Sequence, residues 1–588
     1  MDRNTATGLV LIFILMAGWF YFTMPSAEQL AQQQQERATR DSLAAIQQPQ
    51  QLLEENEPQE IVSDLIQNDT QQTTNGLFGA SAVTDTSFVT VQNGLYTATF
   101  TNLGAGPSHF ILNEYATWDG EPIELIQNDA RSVYNVGFLS TENYNVDTRN
   151  LLFSQVTPAS NINVTGTDSQ ELSYALELSD GRQVVYTYTF YPNSYEIDLD
   201  IRFVGVRNYI VGSSIDFSWD SPLNFTEKDR TQDGLLASAY TYTGGELEQL
   251  KLTEEDTKEE TFNGDITWVS TRTKFFSQII KPVTGSDAAI LRGSQSGPQD
   301  DPLTSHAYQA VIQSDVPSDG LVSFELYVGP LKYDAIKGFD EHAFDMVEVG
   351  YAWIRWFSDP FVRFAVIPFF SFMSGFISNY GLLVIIFAIV IKLCLSPLTY
   401  KSFKSMAAMR ELQPQMKEIQ EKYKDNPQKQ QQETMKMYKK AKVNPLGGCL
   451  PNLLQFPILI TLWRFFQNSI ILRQKEFLWA SDLSAPDYIL SLPFSIPFLG
   501  PNIAGFVLLM TAAMIVQSRL TGGMSGGGAA ANPQMKVFQY IFPVMLLFIF
   551  NNFAAGLSLY YLVFNVLSIV QQVLINKSMQ KEKALATS

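Results

Sequence analysis

Histidine and cysteine are scarce in this 588-residue chain, which has His109, His306, His342, Cys394 and Cys449 and no others. The histidines lie far apart, and no His/Cys/acid group has metal-ligand spacing, so a metal centre is not expected. Two cysteines in apolar segments exclude a disulfide framework. There is no P-loop, no GxSxG and no GxGxxG at a strand-to-helix turn. Charged residues make up only 17%, against about 25% in ordinary soluble proteins. The long soluble-looking region is acidic and offers no clustered basic face, so direct nucleic-acid readout is excluded. What remains is a membrane protein that works without a cofactor.

The net charge of −19 averages two opposite environments: residues 23–359 hold 49 Asp/Glu and 18 Lys/Arg, and residues 360–588 hold 9 and 21. Residues 8–24 are uncharged and long enough to cross a bilayer, which takes roughly 17–25 apolar residues. We read residues 1–25 as an uncleaved anchor; a cleaved signal peptide is the alternative. Residues 26–80, rich in Gln, Glu, Asn and Thr, read as a disordered tether. From 81 to 340 the pattern has period two, as in Leu172–Leu178, Val184–Tyr191 and Tyr195–Phe203, with turns at Asp180-Gly181 and Pro192-Asn193. An antiparallel β-sandwich follows.

Residues 341–379 mix Trp353, Trp356, Phe357, Phe361 and Phe364 with single charges at Glu348, Arg355, Asp359 and Arg363, which predicts an amphipathic helix in the membrane interface. Further spans are expected at 380–400, 446–473, 503–520 and, as a pair, within 536–576. Between them lie a cytoplasmic helical hairpin (401–445), a loop (474–502) whose Pro493, Pro497 and Pro501 mark an interfacial approach to the next span, and a Gly-rich loop (521–535). Residues 577–588 form a tail. The fold class is thus a polytopic α-helical membrane protein of six spans carrying a large β-sandwich. Residues 399–445 hold eleven Lys/Arg against five acids. The positive-inside rule therefore places them in the cytoplasm, with both termini, and puts the β-domain outside. In the hairpin, Met409, Leu412, Met416, Ile419 and Tyr423 have the spacing of a helix seam, and Pro414 predicts a kink.

Lys392 is the informative charge, about 9 Å inside the cytoplasmic end of its span. Two readings are open. In one it snorkels to the headgroups; in the other it faces a hydrated pocket that attracts acidic groups. Gln455, Asn468, Gln517, Asn565, Ser568 and Gln571 lie in or near apolar segments and supply polar groups for such a pocket, or bonds between helices. No acid lies within these five spans to carry a proton or sodium, which weakens the alternative of a secondary transporter for an anionic solute. An envelope scaffold acting through the β-domain is a second rival.

Pro397-Leu398-Thr399, the Met-rich basic hairpin, Asn444-Pro-Leu-Gly-Gly-Cys-Leu-Pro451 and Gly556-Leu-Ser-Leu-Tyr-Tyr561 together resemble the YidC/Oxa/Alb membrane protein insertase family, in its Gram-negative bacterial form with a large periplasmic domain. The resemblance implies a five-helix core around a hydrophilic groove open to cytoplasm and lipid. It also implies a non-enzymatic role in inserting and folding new membrane proteins in the inner membrane. Nascent membrane proteins, the lipid bilayer, the Sec translocon and the ribosome are the partners it implies; no cofactor is expected. Groove residues map to Lys392, Gln455, Gln517, Asn565 and Ser568. A greasy slide for the client maps to Ala388, Phe456, Leu459, Ile549 and Tyr561. The family usually has Arg where Lys392 stands, so the charge is kept and the planar donor fork is lost. The β-domain of such proteins resembles a sugar-binding supersandwich, from which no sugar binding follows.

Overall fold

The computed structural model describes residues 77–78, 85–178, 181–299, 301–424, 426–441, 450–496, 499–522 and 533–587. The expected anchor, nearly all of the tether, the Asn444–Cys449 segment and most of the Gly-rich loop lie outside them.

Period-two patterning produces strands almost where the alternation places them. Gln170–Glu177, Gln183–Phe190 and Glu196–Val204 pair antiparallel, Tyr186 facing Tyr174 on one side and Ile201 on the other. Their buried residues alternate strictly along Gln183–Phe190. Asn193 takes the left-handed conformation at φ 52 in the expected turn, which Asn tolerates because its short side chain bonds locally. A fourteen-stranded and a five-stranded sheet make up the domain. They pack face to face: Phe100 meets Tyr188 at 4.9 Å and Phe190 at 5.3 Å, and the Tyr188 hydroxyl donates to Ala105 O at 2.8 Å. One pairing, Thr90–Gln92 with Asn161–Asn163, is parallel, a departure from the all-antiparallel expectation.

The region after the sandwich is not one amphipathic helix. Two short 3-10 turns precede an α-turn at Arg355–Phe361, a π-turn at Val362–Val366 and a helix at Ile367–Ser374. Pro360 and Pro368 flank the π-turn, where a missing N–H and a ring clash prevent a regular ladder. The segment is one-sided, with Val362, Val366 and Phe370 packed inward and Trp356 (77% exposed) and Phe364 (80%) facing out.

The helical module comprises α1 (Tyr380–Glu411), α2 (Gln413–Lys422), α3 (Pro427–Lys440), α4 (Leu450–Asn468), α5 (Gly505–Gly522), α6 (Pro533–Phe550) and α7 (Ala555–Thr587). Tyr380–Pro397 of α1 and Ala555–Ser578 of α7 are long and apolar enough to cross a membrane, and Gly505–Leu520 is a shorter apolar helix. Instead of a kink at Pro414, α1 stops at Glu411 and α2 starts anew with that proline in its first turn, where a missing N–H costs no bond. Met416 is buried, and Tyr438 of α3 reaches its sulfur at 3.5 Å. The expected loop 474–502 contains a β-hairpin, Tyr488–Ile496 with Gly500–Ala504.

One segment, 470–487, gathers the helix ends. It follows α4 directly. A Cβ on Gly381, at the start of α1, would meet the Phe477 ring at 2.0 Å. Gly505 N–H, at the start of α5, donates to Asp487 O at 3.0 Å, and Gly556 N–H, in the first turn of α7, donates to Leu483 O at 2.9 Å. Hence α1, α5 and α7 begin on the side where α4 ends. The β-domain docks there too. The buried Arg473 donates to Glu227 and to Ala116 O, each at 2.8 Å, while Arg464 pairs with Glu348.

Candidate functional site

The chemistry available between the helices is set by polar residues at helical spacing in apolar runs. On α1, Lys392, Ser396 and Thr399 recur at i, i+4 and i+7, one face of a helix. On α7, Phe564, Ser568 and Gln571 recur at the same intervals. The two faces meet. The Lys392 ammonium donates to Ser568 Oγ at 2.6 Å and lies 4.5 Å from the centre of the Phe564 ring. Ser568 donates in turn to Phe564 O at 2.8 Å. Gln571 Nε2 donates to Ser396 Oγ and Thr399 Oγ1, each at 3.1 Å. Because Lys392 pairs with Ser568, and Thr399 with a residue farther along, α1 and α7 run in the same direction.

Lys392 is only 6% exposed. A snorkelling lysine keeps its head in water, so burial beside a hydroxyl and a ring face selects against that reading. The ring contributes a cation–π attraction, about 2 kcal/mol or more when desolvated. The Lys392 ammonium is thus held in the α1–α7 contact by a hydroxyl and a ring face.

The other groove residues are distributed around this centre. Asn565 is buried on α7 next to the ladder, and its Nδ2 has no hydrogen-bond partner. Gln455 on α4 lies beside the Tyr561 hydroxyl. Gln517 is half-buried near the far end of α5. Asn468 is elsewhere: its amide donates to Glu348 O at 2.8 Å, so it ties α4 to the segment below the β-domain and does not line a pocket with Lys392. Among the slide residues, Phe456 and Ile549 are exposed and Leu459 is half-buried, whereas Ala388 and Tyr561 are buried in the packing. Ser396 and Thr399 were not singled out as site residues from sequence. Their spacing from Lys392 on one helix face was the available signal.

Two family models match the chain: one described as 60Kd inner membrane protein over residues 372–583, and one for the YidC periplasmic domain over residues 88–364. The membrane protein insertase YidC of Chlorobium limicola is 37% identical over 584 residues, covering 98% of this chain and 95% of the relative. The proteins of the same name from Prosthecochloris aestuarii and Chlorobaculum tepidum are 37% and 35% identical over 592 and 598 residues, each covering 100% of this chain and 97% of the relative. A crystal structure of an active YidC insertase with its first transmembrane domain resolved is 19% identical, covers 84% of this chain and 95% of that one, and has a TM-score of 0.32. At that score the relationship rests on the sequences. The chain belongs to the YidC family of membrane protein insertases.

Proposed function

We propose that this chain inserts and folds newly made integral membrane proteins in the bacterial inner membrane, with Lys392 as the charge that draws the polar part of a client between the helices. The observation that carries this reading is the burial of Lys392 against Ser568 and Phe564, between stretches of α1 (380–400) and α7 (555–576) that hold no other charge.

Six spans are proposed: the anchor at 8–24, α1, α4, α5, α6 and α7. Supporting this count, α1 and α7 run in parallel and α4 ends where α1, α5 and α7 begin, as five successive crossings demand. The β-domain docks at that shared end. The eleven bases of 399–445 then lie at the other end, which is cytoplasmic by the positive-inside rule, as are both termini.

In this mechanism the client's hydrophilic tail leaves the basic α2–α3 hairpin and enters a hydrated groove shared by Lys392, Gln455, Gln517, Asn565 and Ser568. A low-dielectric wall strengthens the attraction of the ammonium for acidic residues. The apolar segment of the client moves along Phe456, Leu459 and Ile549, with Ala388 and Tyr561 reached as helices part. It then partitions into lipid, gaining roughly 25 cal/mol per Å² of apolar surface removed from water. The membrane potential adds a pull on acidic residues moving outward. No nucleotide is required. The basic hairpin is also the surface we assign to the ribosome and the Sec translocon.

The test uses proteoliposomes holding only this protein and a single-span client with an acidic N-terminal tail. Protection of that tail from external protease, above protein-free liposomes and reduced by Lys392→Glu, is the expected result. Protection unchanged by the reversal removes Lys392 from the mechanism. No protection above empty liposomes overturns insertion by this chain alone.

A further inference from the structure

From Tyr488 to Ser518 the chain carries no Asp, Glu, Lys or Arg. The first part of that stretch is not a helix but the two-stranded hairpin Tyr488–Ile496 and Gly500–Ala504. Its first strand shows no alternation of burial. Tyr488, Ile489 and Leu490 are consecutive and all exposed, as is Phe494 at 61%. Successive strand residues point to opposite faces, so both faces of this strand present apolar side chains to the surroundings.

The hairpin is nevertheless held in one place. Asn551, wholly buried at the α6–α7 turn, accepts from Ala504 N–H at 2.9 Å and donates to Asn502 O at 2.7 Å and Leu499 O at 3.1 Å. The Tyr488 hydroxyl donates to Asn552 Oδ1 at 3.0 Å, and Ser491 bonds Asn502 across the strands at 2.8 Å. Asp487, just before the hairpin, accepts from Trp479 Nε1 at 2.8 Å and from Phe506 N–H at 2.7 Å. This is a fixed apolar wedge, and its last residue, Ala504, runs directly into α5.

We propose that this hairpin is immersed in the outer-leaflet interface of the bilayer, with lipid on both of its faces. The proposal rests on the membrane-spanning reading of α5 and α7. Two observations select lipid over a protein partner. The hairpin is chain-continuous with a spanning helix and is fastened to the turn between two others, so it sits at the membrane boundary. It also lacks any charge to orient a protein partner, whereas specific interfaces carry a polar rim. Its depth follows from its backbone. A two-stranded hairpin has two open edges whose N–H and C=O groups need water, and such edges do not occur in the hydrocarbon core. The interface, about 5–10 Å into the headgroup/acyl boundary, meets both requirements. Tyr488 and Trp479 suit the same level.

The experiment uses the full chain in liposomes, with Cys394 and Cys449 replaced by serine and one environment-sensitive fluorophore at Phe494→Cys or Ile489→Cys. Lipid-borne nitroxides near the headgroup should quench both labels more strongly than nitroxides near the chain ends, and aqueous iodide should quench them weakly. Iodide quenching equal to that of a label at Leu303→Cys, an exposed position of the β-domain, would overturn the proposal. So would protection from every quencher, which would mean that protein covers the hairpin. A label at Val566→Cys on the exposed face of α7 reports on the span itself. If lipid nitroxides fail to quench it, the membrane-spanning reading is wrong, whatever the hairpin labels do.

Discussion

Lys392 and Ser568 are 176 residues apart in sequence, and the ammonium of one donates to the hydroxyl of the other at 2.6 Å across two helices that run the same way. The parallel register is as informative as the bond. Parallel neighbours cannot be joined by a short turn, so α4, α5 and α6 must carry the chain back.

In the mechanism proposed above, Lys392 contributes charge more than hydrogen-bond geometry. Lys392→Arg keeps the positive charge and should retain most insertion of an acidic-tailed client, whereas Lys392→Met should lower it severalfold. Initial rates of protease protection for the two variants, side by side, check this. Equal rates for arginine and methionine would contradict it.

Gln571→Leu removes the bonds to Ser396 and Thr399. Bonds between membrane helices contribute about 0.6–2 kcal/mol each, so unfolding of the variant in mild detergent should show a loss of that order. Insertion should be less affected than in Lys392→Met, because the charge remains.

Arg473 and Glu227 join the β-domain to the helical module through a buried ion pair. Arg473→Ala leaves a carboxylate without its cation, which typically costs about 3–5 kcal/mol when the pair is buried. The variant should release the β-domain to limited proteolysis at lower temperature than the parent. Pairing Arg473→Met with Glu227→Leu should recover part of the loss, since no charge is then stranded.

Gly381 approaches Phe477 so closely that a Cβ has no room: the ring atoms lie 2.0–2.1 Å from its position. Gly381→Ala should therefore cost about 1–3 kcal/mol, the usual penalty for overpacking. Thermal unfolding of Gly381→Ala, compared with Gly381→Ala/Phe477→Ala, tests the assignment, because removing the ring should restore the space.

His306 in the β-domain has its pKa lowered to about 4 by burial, with the nearby Arg230 adding to the shift. Phe225 lies against its ring at 5.7 Å. The unfolded chain binds a proton there from about pH 6.5 downward, and the folded domain does so only near 4. Stability should consequently fall as the pH drops through that window, by up to about 3 kcal/mol, and level off below it. Denaturant unfolding of the full chain across the window, with His306→Gln as the variant that lacks this component, checks the sign and the size.

Sequence alone determined the features that follow from local periodicity and composition. The three strands read from alternation, at 172–178, 184–191 and 195–203, appear within a residue or two of those bounds, because a half-buried strand cannot hide its period. The two longest apolar helices and the division of charge were legible in the same way, whereas Pro414, expected to kink one helix, sits in the first turn of a new one. The family resemblance rested on short motifs that need no tertiary context. Only the tertiary structure decided which polar groups meet. It pairs Lys392 with Ser568, sends Asn468 to Glu348 and brings Arg473 to Glu227 from 246 residues away. Nothing in either local segment names its partner. It also buries Ala388 and Tyr561, which an apolar sequence does not distinguish from the exposed Phe456 and Ile549, since lipid and protein interior are equally apolar neighbours. The prolines of 488–502 read as a loop, yet Pro493 sits in a strand. A two-stranded hairpin tolerates it because each strand is an edge, with an N–H side that needs no ladder partner.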